Sequence, residues 1–300
     1  MGGWPVEVSD KNAQSSLQKA WDLGIRYFDT APLYGSGMSE IRLGNFLKNQ
    51  NRNEFTVSTK VGRLIVDTTK SKASEKFIGS PIDKDSEFNF SYDATMKSLE
   101  DSLQRLDLNE IDILYLHDPD NHPDHFQDAK DGAIKAMIKL RDEGVVKAIG
   151  CGMNQNEMLI EFAKEGCFDC FLLAGRYTLL DYSALDKLLP ECLKKEISII
   201  IGGPYNSGIL ASDLDKKSTY FYEPSPSDVI NKAKKIKNIC DNFNVPLKAA
   251  ALQFGLNHTS VASTIPGPRT PLEIEDNLKM LSYKIDDSLW EKLRNDNLIP

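Results

Sequence analysis

Asp112-Ile-Leu-Tyr-Leu-His117 is an apolar run of strand length that ends on a histidine, and what stands at that end decides the fold. Working outward, the same form recurs on both sides. Arg26–Thr30 carries Asp29 near its end, Phe55–Lys60 ends on Lys60, Ala148–Met153 leads into Asn154, and Cys170–Gly175 leads into Arg176. Ser198–Gly203 and Val261–Gly267 bring the strand-like runs to seven. Amphipathic helical stretches separate them, at Ala13–Leu23, Ser39–Asn49, Tyr92–Leu106, Asp131–Glu143, Gln155–Glu165, Tyr182–Lys195 and Asp228–Phe243. Such alternation implies parallel strands joined by helical crossovers. Gly24, Gly144 and Gly166 stand where a chain leaving a helix needs a left-handed residue.

Two folds alternate this way, the doubly wound sheet and the (β/α)8 barrel. A dinucleotide-binding sheet predicts G-x-G-x-x-G after its first strand, whereas Gly150-Cys-Gly152-Met-Asn-Gln155 has two of the three glycines and follows a middle strand. Polar residues at the C-terminal ends of successive strands converge on one mouth in a barrel, and active sites are built there. The chain therefore reads as a single α/β domain over residues 1–300, a (β/α)8 TIM barrel, with no composition break or Pro/Ser linker dividing it. A closed barrel needs an eighth strand. Met1-Gly-Gly-Trp-Pro5 is too short and glycine-rich to supply it and runs into a helix start at Ser9-Asp10. The expectation is a barrel lacking its N-terminal hairpin and first strand: either that strand lies outside this chain or the barrel is open at that edge.

The 300 residues include 36 Lys+Arg against 44 Asp+Glu, a net charge of −8. Neutralising phosphates takes a basic face, so this balance argues against nucleic acid as a partner. No apolar run approaches the roughly 20 residues that span a bilayer. The N-terminus lacks the basic start and apolar run of a secretory signal, so a cytoplasmic location is expected. Five cysteines lie in apolar or helical pattern and read as reduced thiols; Cys167-Phe-Asp-Cys170 has no second pair to complete a zinc site. Nothing in the residues selects an oligomeric state.

If Asp29, Tyr34, Lys60 and His117 meet at one mouth, they form a tuned acid/base. A phenol ordinarily titrates near pH 10, too high to exchange protons freely at neutral pH. A nearby ammonium favours the phenolate, and a carboxylate holds that ammonium in place. Tyr34 beside Lys60, with Lys60 paired to Asp29, has this form, and His117 would orient a substrate oxygen. A proton donor with no nucleophile and no convincing metal suits carbonyl/alcohol interconversion, where a cofactor supplies the hydride.

Gly24-Ile-Arg-Tyr-Phe-Asp-Thr-Ala-Pro-Leu-Tyr-Gly35, then Ser39-Glu40 and Leu43-Gly44, resemble the signature of the aldo-keto reductase family. The resemblance continues through Ser58-Thr-Lys60-Val-Gly62, Leu99 to Leu106, Asp112–His117 and the end of the chain. It implies a (β/α)8 barrel, no metal, a nicotinamide cofactor, and a catalytic tetrad on Asp29, Tyr34, Lys60 and His117. It also implies that Asn154 holds the nicotinamide carboxamide. The neighbouring Ser of the family is Met153 here, and its Gln on the next strand is Ala174. The phosphate loop falls on Gly203, Pro204 and Tyr205, continuing to Gly208 and Leu210, and the adenosine clamp on Ile265, Gly267, Arg269, Glu273, Asp276 and Asn277. Where NADP-preferring relatives carry Arg, this chain has Glu273. A carboxylate there would repel a 2′-phosphate, which implies NAD, with Arg269 keeping NADP possible; equally, Glu273 is a carboxylate suited to a helix's first turn.

Leu172–Asp181, His117-Asp-Pro-Asp120 and Phe90-Ser-Tyr-Asp93 resemble the branch of that family containing aldose 1-dehydrogenases, L-fucose and L-galactose dehydrogenases and pyridoxal 4-dehydrogenase. By that resemblance the reaction oxidises a hemiacetal to a lactone, and a neutral sugar or pyridoxal fits this acidic chain better than a phosphorylated substrate. The polar segment Arg63 to Glu87 reads as a mobile loop over the mouth. Two rival readings stand beside this one. His117-Asp-Pro-Asp-Asn-His-Pro-Asp-His125 offers ligands for a metal-dependent hydrolase, although its prolines stiffen it and only His117 is on a strand. A non-catalytic scaffold or sensor that keeps a nucleotide pocket is the other.

Overall fold

The computed structural model describes residues 2–300 except Trp4, Pro5 and Lys216, and all but the side chain of Lys76. By contact density the chain falls into two compact units: Met1–Met153 with Cys167–Cys170 and Pro268–Ile274, and Asn154–Gly166 with Phe171–Gly267 and Glu275–Pro300. No described helix is long and apolar enough to cross a membrane.

In the first unit, Ser9 accepts a hydrogen bond from the Asn12 N–H and starts α1 (Asp10–Asp22). There follow β1 (Tyr27–Asp29), α2 (Met38–Leu47), β2 (Thr56–Val61), β3 (Arg63–Asp67), α3 (Ala73–Lys76), β4 (Lys84–Phe88), α4 (Tyr92–Leu106), β5 (Ile111–His117), α5 (His125–Asp128), α6 (Ile134–Asp142) and β6 (Val146–Met153). Strands β1, β2, β5 and β6 pair in parallel, Asp29 level with Ser58, Lys60 with Tyr115 and His117 with Gly152. All of β5 except Ile113 is buried, as a strand covered on both faces should be.

Gly150 finds its explanation in packing. A Cβ on Gly150 would lie 2.3 Å from the Cys170 carbonyl oxygen and 2.8 Å from the Tyr115 ring, so the position is bare to admit a buried phenol. The Gly44 of the family signature serves likewise. Its Cβ would meet the Leu106 carbonyl oxygen at 2.2 Å, which holds α2 close against the end of α4.

The second unit holds α7 (Glu157–Glu165), which ends on Gly166 at φ 72°, the larger part of β7 (Cys170–Ala174), then α8 (Leu188–Lys194), β8 (Ser198–Gly202), β9 (Thr219–Tyr220), β10 (Glu223–Pro224), α9 (Ser227–Asn242), α10 (Leu247–Phe254), β11 (Val261–Ile265), α11 (Pro271–Leu281) and α12 (Asp287–Asn295). β8 and β11 are parallel. The strand order is β1-β2-β5-β6 in the first unit and β7-β8-β11 in the second: together the strand–helix repeat of a (β/α)8 barrel with seven of its strands among the described residues. Of Met1–Pro5, Gly2 and Gly3 lie in no strand, and Met1, Trp4 and Pro5 lie outside the described residues.

Two expectations are corrected. Arg63–Glu87 is not an irregular loop: β3 and β4 pair antiparallel, from Arg63 against Phe88 to Asp67 against Lys84. The run Arg63-Leu-Ile-Val-Asp67 has strand-forming residues at its centre, and the polar character that suggested a loop belongs to the turn and to β4 itself, Lys84-Asp-Ser-Glu-Phe88. The helix expected over Asp131–Glu143 begins with a wide turn at Ala129–Ala133. There the Ala133 N–H donates to the Phe90 carbonyl at 2.7 Å and Gly132 lies against that same backbone.

At the opposite end of β5 from His117, Asp112 accepts from Arg52, Lys147 and the Val57 N–H at 2.7, 2.7 and 2.8 Å. Burial opposes its charge, but the bonds from Lys147, Val57 and Arg52 prevail and its pKa lies below the ordinary carboxylate value. A depressed folded pKa gives stability that is present at neutral pH and is lost as pH falls through that pKa. Asp112→Asn should therefore lower stability at pH 7 and flatten its decline below about pH 4. Urea midpoints across that range check it; an unchanged acid limb would remove Asp112 from the account.

Candidate active site

The sequence-predicted catalytic residues all lie in the first unit, and the structure brings them together. Lys60, with 1% of its side chain exposed, donates to Asp29 Oδ2 at 2.6 Å and to the Thr30 carbonyl at 2.7 Å. Its ammonium stands 4.8 Å from the centre of the Tyr34 ring. The His117 ring meets the Tyr34 ring edge-on, centroids 5.7 Å apart and planes at 90°. Tyr34 is half-buried. The group is an ammonium fixed by a carboxylate, a phenol in its field and an imidazole beside the phenol. An ammonium beside a phenol, with an imidazole against the same ring, is an arrangement suited to acid/base chemistry.

Backbone detail sets Tyr34. It rides the turn from β1 into α2, where the Tyr34 N–H donates to Ala31 and its carbonyl accepts from Ser39. Gly35 and Gly37 take φ of 66° and 90°, which the turn requires and glycine permits. Gly2 packs flat on this turn, a Cβ there lying 2.8 Å from the Tyr34 carbonyl carbon. Behind it, Glu40 is wholly buried and accepts from Arg105 and the Thr59 hydroxyl, both at 2.6 Å. The Ser39-Glu40 of the signature thus anchors α2.

Sequence reasoning missed the residues below the cluster. Ser58 Oγ donates to Asp29 Oδ1 at 2.6 Å and lies 3.1 Å from the Tyr27 hydroxyl, which lies 3.2 Å from the Tyr115 hydroxyl. Cys170 Sγ completes the chain at 3.7 Å. Burial first, then the Asp29 charge, raises the Tyr27 phenol, and burial raises that of Tyr115 and pushes the Cys170 thiol up to about 12. These groups stay protonated at neutral pH and act as neutral hydrogen-bond partners. The available signal was two-residue spacing, Ser58 with Lys60 and Tyr115 with His117, which puts each pair on one strand face. Arg63 and Asp118 were missed too. Asp118 Oδ2 is 2.9 Å from Arg63 and 3.5 Å from His117 Nε2.

The expected cofactor residues divide between the units. In the first, Glu273 accepts from the Arg269 N–H at 2.7 Å and from its guanidinium at 2.8 Å, while its own N–H donates to Thr270 Oγ1. Glu273 therefore does the work of a first-turn carboxylate and neutralises Arg269 at once. In the second, Arg176 is bound to the Asn154 carbonyl at 2.7 Å and to Asp181 at 2.9 Å. Tyr205 donates to Asn277 at 2.8 Å, and Lys248 pairs with Asp276. Gly203 and Gly208 take φ of 58° and 101°; a Cβ on Gly208 or Gly267 would meet nothing within 4 Å, and one on Gly203 only the Gly175 nitrogen at 4.0 Å. Bare backbone facing open space is what close approach of a phosphate chain demands. Pro204, Leu210 and Ile265 lie beside these glycines, Leu210 buried and Pro204 in the turn that follows β8.

The histidines of the rival metal site keep aromatic company. His125 lies 4.8 Å from Phe90 and 5.2 Å from Phe88, with His122 at 5.4 Å. Among the described residues no group of three His, Cys, Asp or Glu is placed to hold an ion.

Residues 1–296 match the model of the Aldo/keto reductase family. The chain is 37% identical to pyridoxal 4-dehydrogenase of Microbacterium luteolum, covering 100% of this chain and 92% of that one. It is 39% identical to D-threo-aldose 1-dehydrogenase of a Pseudomonas species, covering 98% and 90%. In fold it is similar to the holo form of an aldo-keto reductase from Bacillus halodurans, TM-score 0.77 at 21% identity over 98% of this chain and 89% of that one. A glycerol dehydrogenase from Gluconobacter oxydans gives 0.75 at 20% identity over 99% and 88%.

Removing the ammonium strands a carboxylate. Lys60→Met should destabilise the protein by about 3–5 kcal/mol, the cost of breaking a buried pair, whereas Tyr34→Phe should cost less than about 1 kcal/mol. Chemical denaturation of both variants checks the contrast. Equal losses would mean the pair is not what holds the cluster.

Proposed function

Because the chain belongs to the aldo/keto reductase family, we propose that Tyr34, Lys60, Asp29 and His117 are its catalytic residues and that it oxidises a neutral aldose or pyridoxal at a hemiacetal carbon, giving a lactone. Family membership makes the chain an NAD(P)-dependent oxidoreductase with a (β/α)8 fold. The observation that carries the residue assignment is the Lys60 ammonium, neutralised by Asp29 and set 4.8 Å from the Tyr34 ring centre. The substrate class rests on the two dehydrogenases that are 37% and 39% identical over nearly the whole chain.

When bound, the nicotinamide supplies the hydride acceptor. Asn154 would hold its carboxamide, Gly203, Pro204, Tyr205, Gly208 and Leu210 the pyrophosphate, and Ile265, Gly267, Arg269, Glu273, Asp276 and Asn277 the adenosine; the open space over the glycines fits that role. As the substrate carbon loses hydride, its hydroxyl proton passes to the Tyr34 phenolate, which Lys60 stabilises. Asp29 keeps Lys60 charged and in place, with Ser58 occupying its second oxygen. His117 donates to the substrate oxygen and keeps it in line with Tyr34. In the reducing direction the same phenol returns the proton.

NAD is the preferred cofactor in this reading. A 2′-phosphate seeking Arg269 would have to displace Glu273 from a two-point contact and would meet its negative charge.

Purified protein supplied with NAD should oxidise one of L-fucose, L-galactose, other aldoses or pyridoxal, read at the reduced-nicotinamide absorbance. Tyr34→Phe should lose turnover by a factor of about 10²–10⁴ while NAD still quenches the protein's fluorescence as before; wild-type turnover in that variant would sink the assignment. For the cofactor, kcat/KM with NAD should exceed that with NADP. Glu273→Ala should move the ratio toward NADP about tenfold or more, the worth of one freed charge-assisted bond of about 1.5–3 kcal/mol. An unchanged ratio would show that Glu273 does not discriminate.

A further inference from the structure

His117 is followed directly by Asp118, whose backbone stands in the left-handed region at φ 46°, ψ 50°, uncommon for a residue with a side chain. In that conformation its carboxylate reaches back to the preceding side chain, Oδ2 lying 3.5 Å from His117 Nε2. The same oxygen takes a 2.9 Å bond from Arg63 Nη2. Arg63 and Asp118 are largely buried, with 16% and 29% of their side chains exposed. Arg63 is itself held, its guanidinium 3.9 Å from the centre of the Phe88 ring, which stacks on Phe90 at 5.8 Å. Phe88 is the register partner of Arg63 where β3 and β4 meet. An exposed charge would need none of this.

We propose that Asp118 and Arg63 are positioning residues that set the charge and orientation of His117. The carboxylate draws the Nε2 edge of the ring and favours the imidazolium. The guanidinium, bonded to the same oxygen, draws that charge off and keeps the ring from being locked in its charged form. Burial alone opposes ionisation of Asp118, yet His117 and Arg63 hold its carboxyl below the ordinary value, so it is an anion throughout the neutral range. Among the described residues, the Tyr34 phenol from the β1–α2 turn meets the ring, the Lys60 ammonium of β2 acts on Asp118, and on β6 the Cys151 thiol, which burial keeps protonated, feels Asp120 and Asp118. Whatever moves the β3–β4 hairpin moves Arg63, and through Asp118 reaches the ring.

The inference rests on the reading that His117 faces the substrate oxygen, and the test separates the two. The chain has four histidines, so the His117 imidazole signals can be assigned by their loss in His117→Gln. They are then titrated by NMR in wild type, Asp118→Asn and Arg63→Met. Asp118→Asn should lower the His117 midpoint by about one pH unit or more, and Arg63→Met should raise it, the scale of close charge pairs. Arg63→Lys should restore most of the wild-type value. A merely structural role would not give opposite shifts. The limb of the kcat/KM profile that follows His117 should move in the same two directions. Midpoints unchanged in both variants, or shifted the same way, overturn the inference even if Tyr34→Phe abolishes turnover. Opposite shifts of the midpoint, with Tyr34→Phe still fully active, uphold it and strike only at the catalytic assignment.

Discussion

An ammonium group taken out of water loses hydration worth several kcal/mol, and Lys60 is 99% withdrawn. Two oxygens replace that hydration, the Asp29 carboxylate and the Thr30 carbonyl, and both come from the end of β1. The register of β1 against β2 is therefore constrained by charge as well as by the strand ladder, since a one-residue slip would turn Asp29 to the other face. Fixing Asp29 in turn fixes where the chain leaves the strand, and so the turn that carries Tyr34. Glu40 and Arg105, a second buried pair, hold the far side of that turn. The site is built from two neutralised pairs with a phenol between them.

Beneath the charged layer lies a different kind of polar interior. Ser58, Tyr27, Tyr115 and Cys170 form a chain of neutral groups, the two phenols and the thiol kept protonated by burial, that begins at the second oxygen of Asp29. Neutral donors of this sort satisfy a buried carboxylate without adding another ion that would need its own partner. Tyr115 fits only because Gly150 is bare, so a glycine on β6 and a carboxylate on β1 are linked through three side chains.

The strand–helix repeat and the four catalytic candidates were legible in the sequence because they rest on periodicity and on residue type at strand ends, both of which survive without coordinates. Gly150 and Gly152 were legible only as a failed nucleotide fingerprint; the close approach of Tyr115 that requires Gly150 is a tertiary fact. The hairpin of β3 and β4 was hidden because lysines, serines and aspartates of its turn and of β4 itself dominate the composition of the segment. Asp118 was visible as part of a motif but not as a partner of His117, since a left-handed backbone at an aspartate leaves no mark on neighbouring residues. Glu273 allowed two readings; its bonds to Arg269 and Thr270 give it the first-turn role, and its part in cofactor choice is the one proposed above.

The hairpin is joined to the rest of the first unit at a narrow neck, Arg63 and Phe88 facing each other where its strands begin and end. Distal to that neck the segment still touches the turn of Tyr34: the Phe77 ring lies 6.3 Å from the Tyr34 ring, and Ile65 lies beside Gly37. The hairpin and the phenol are therefore mechanically coupled, and a change of side chain at Phe77 or Ile65 reaches Tyr34 directly.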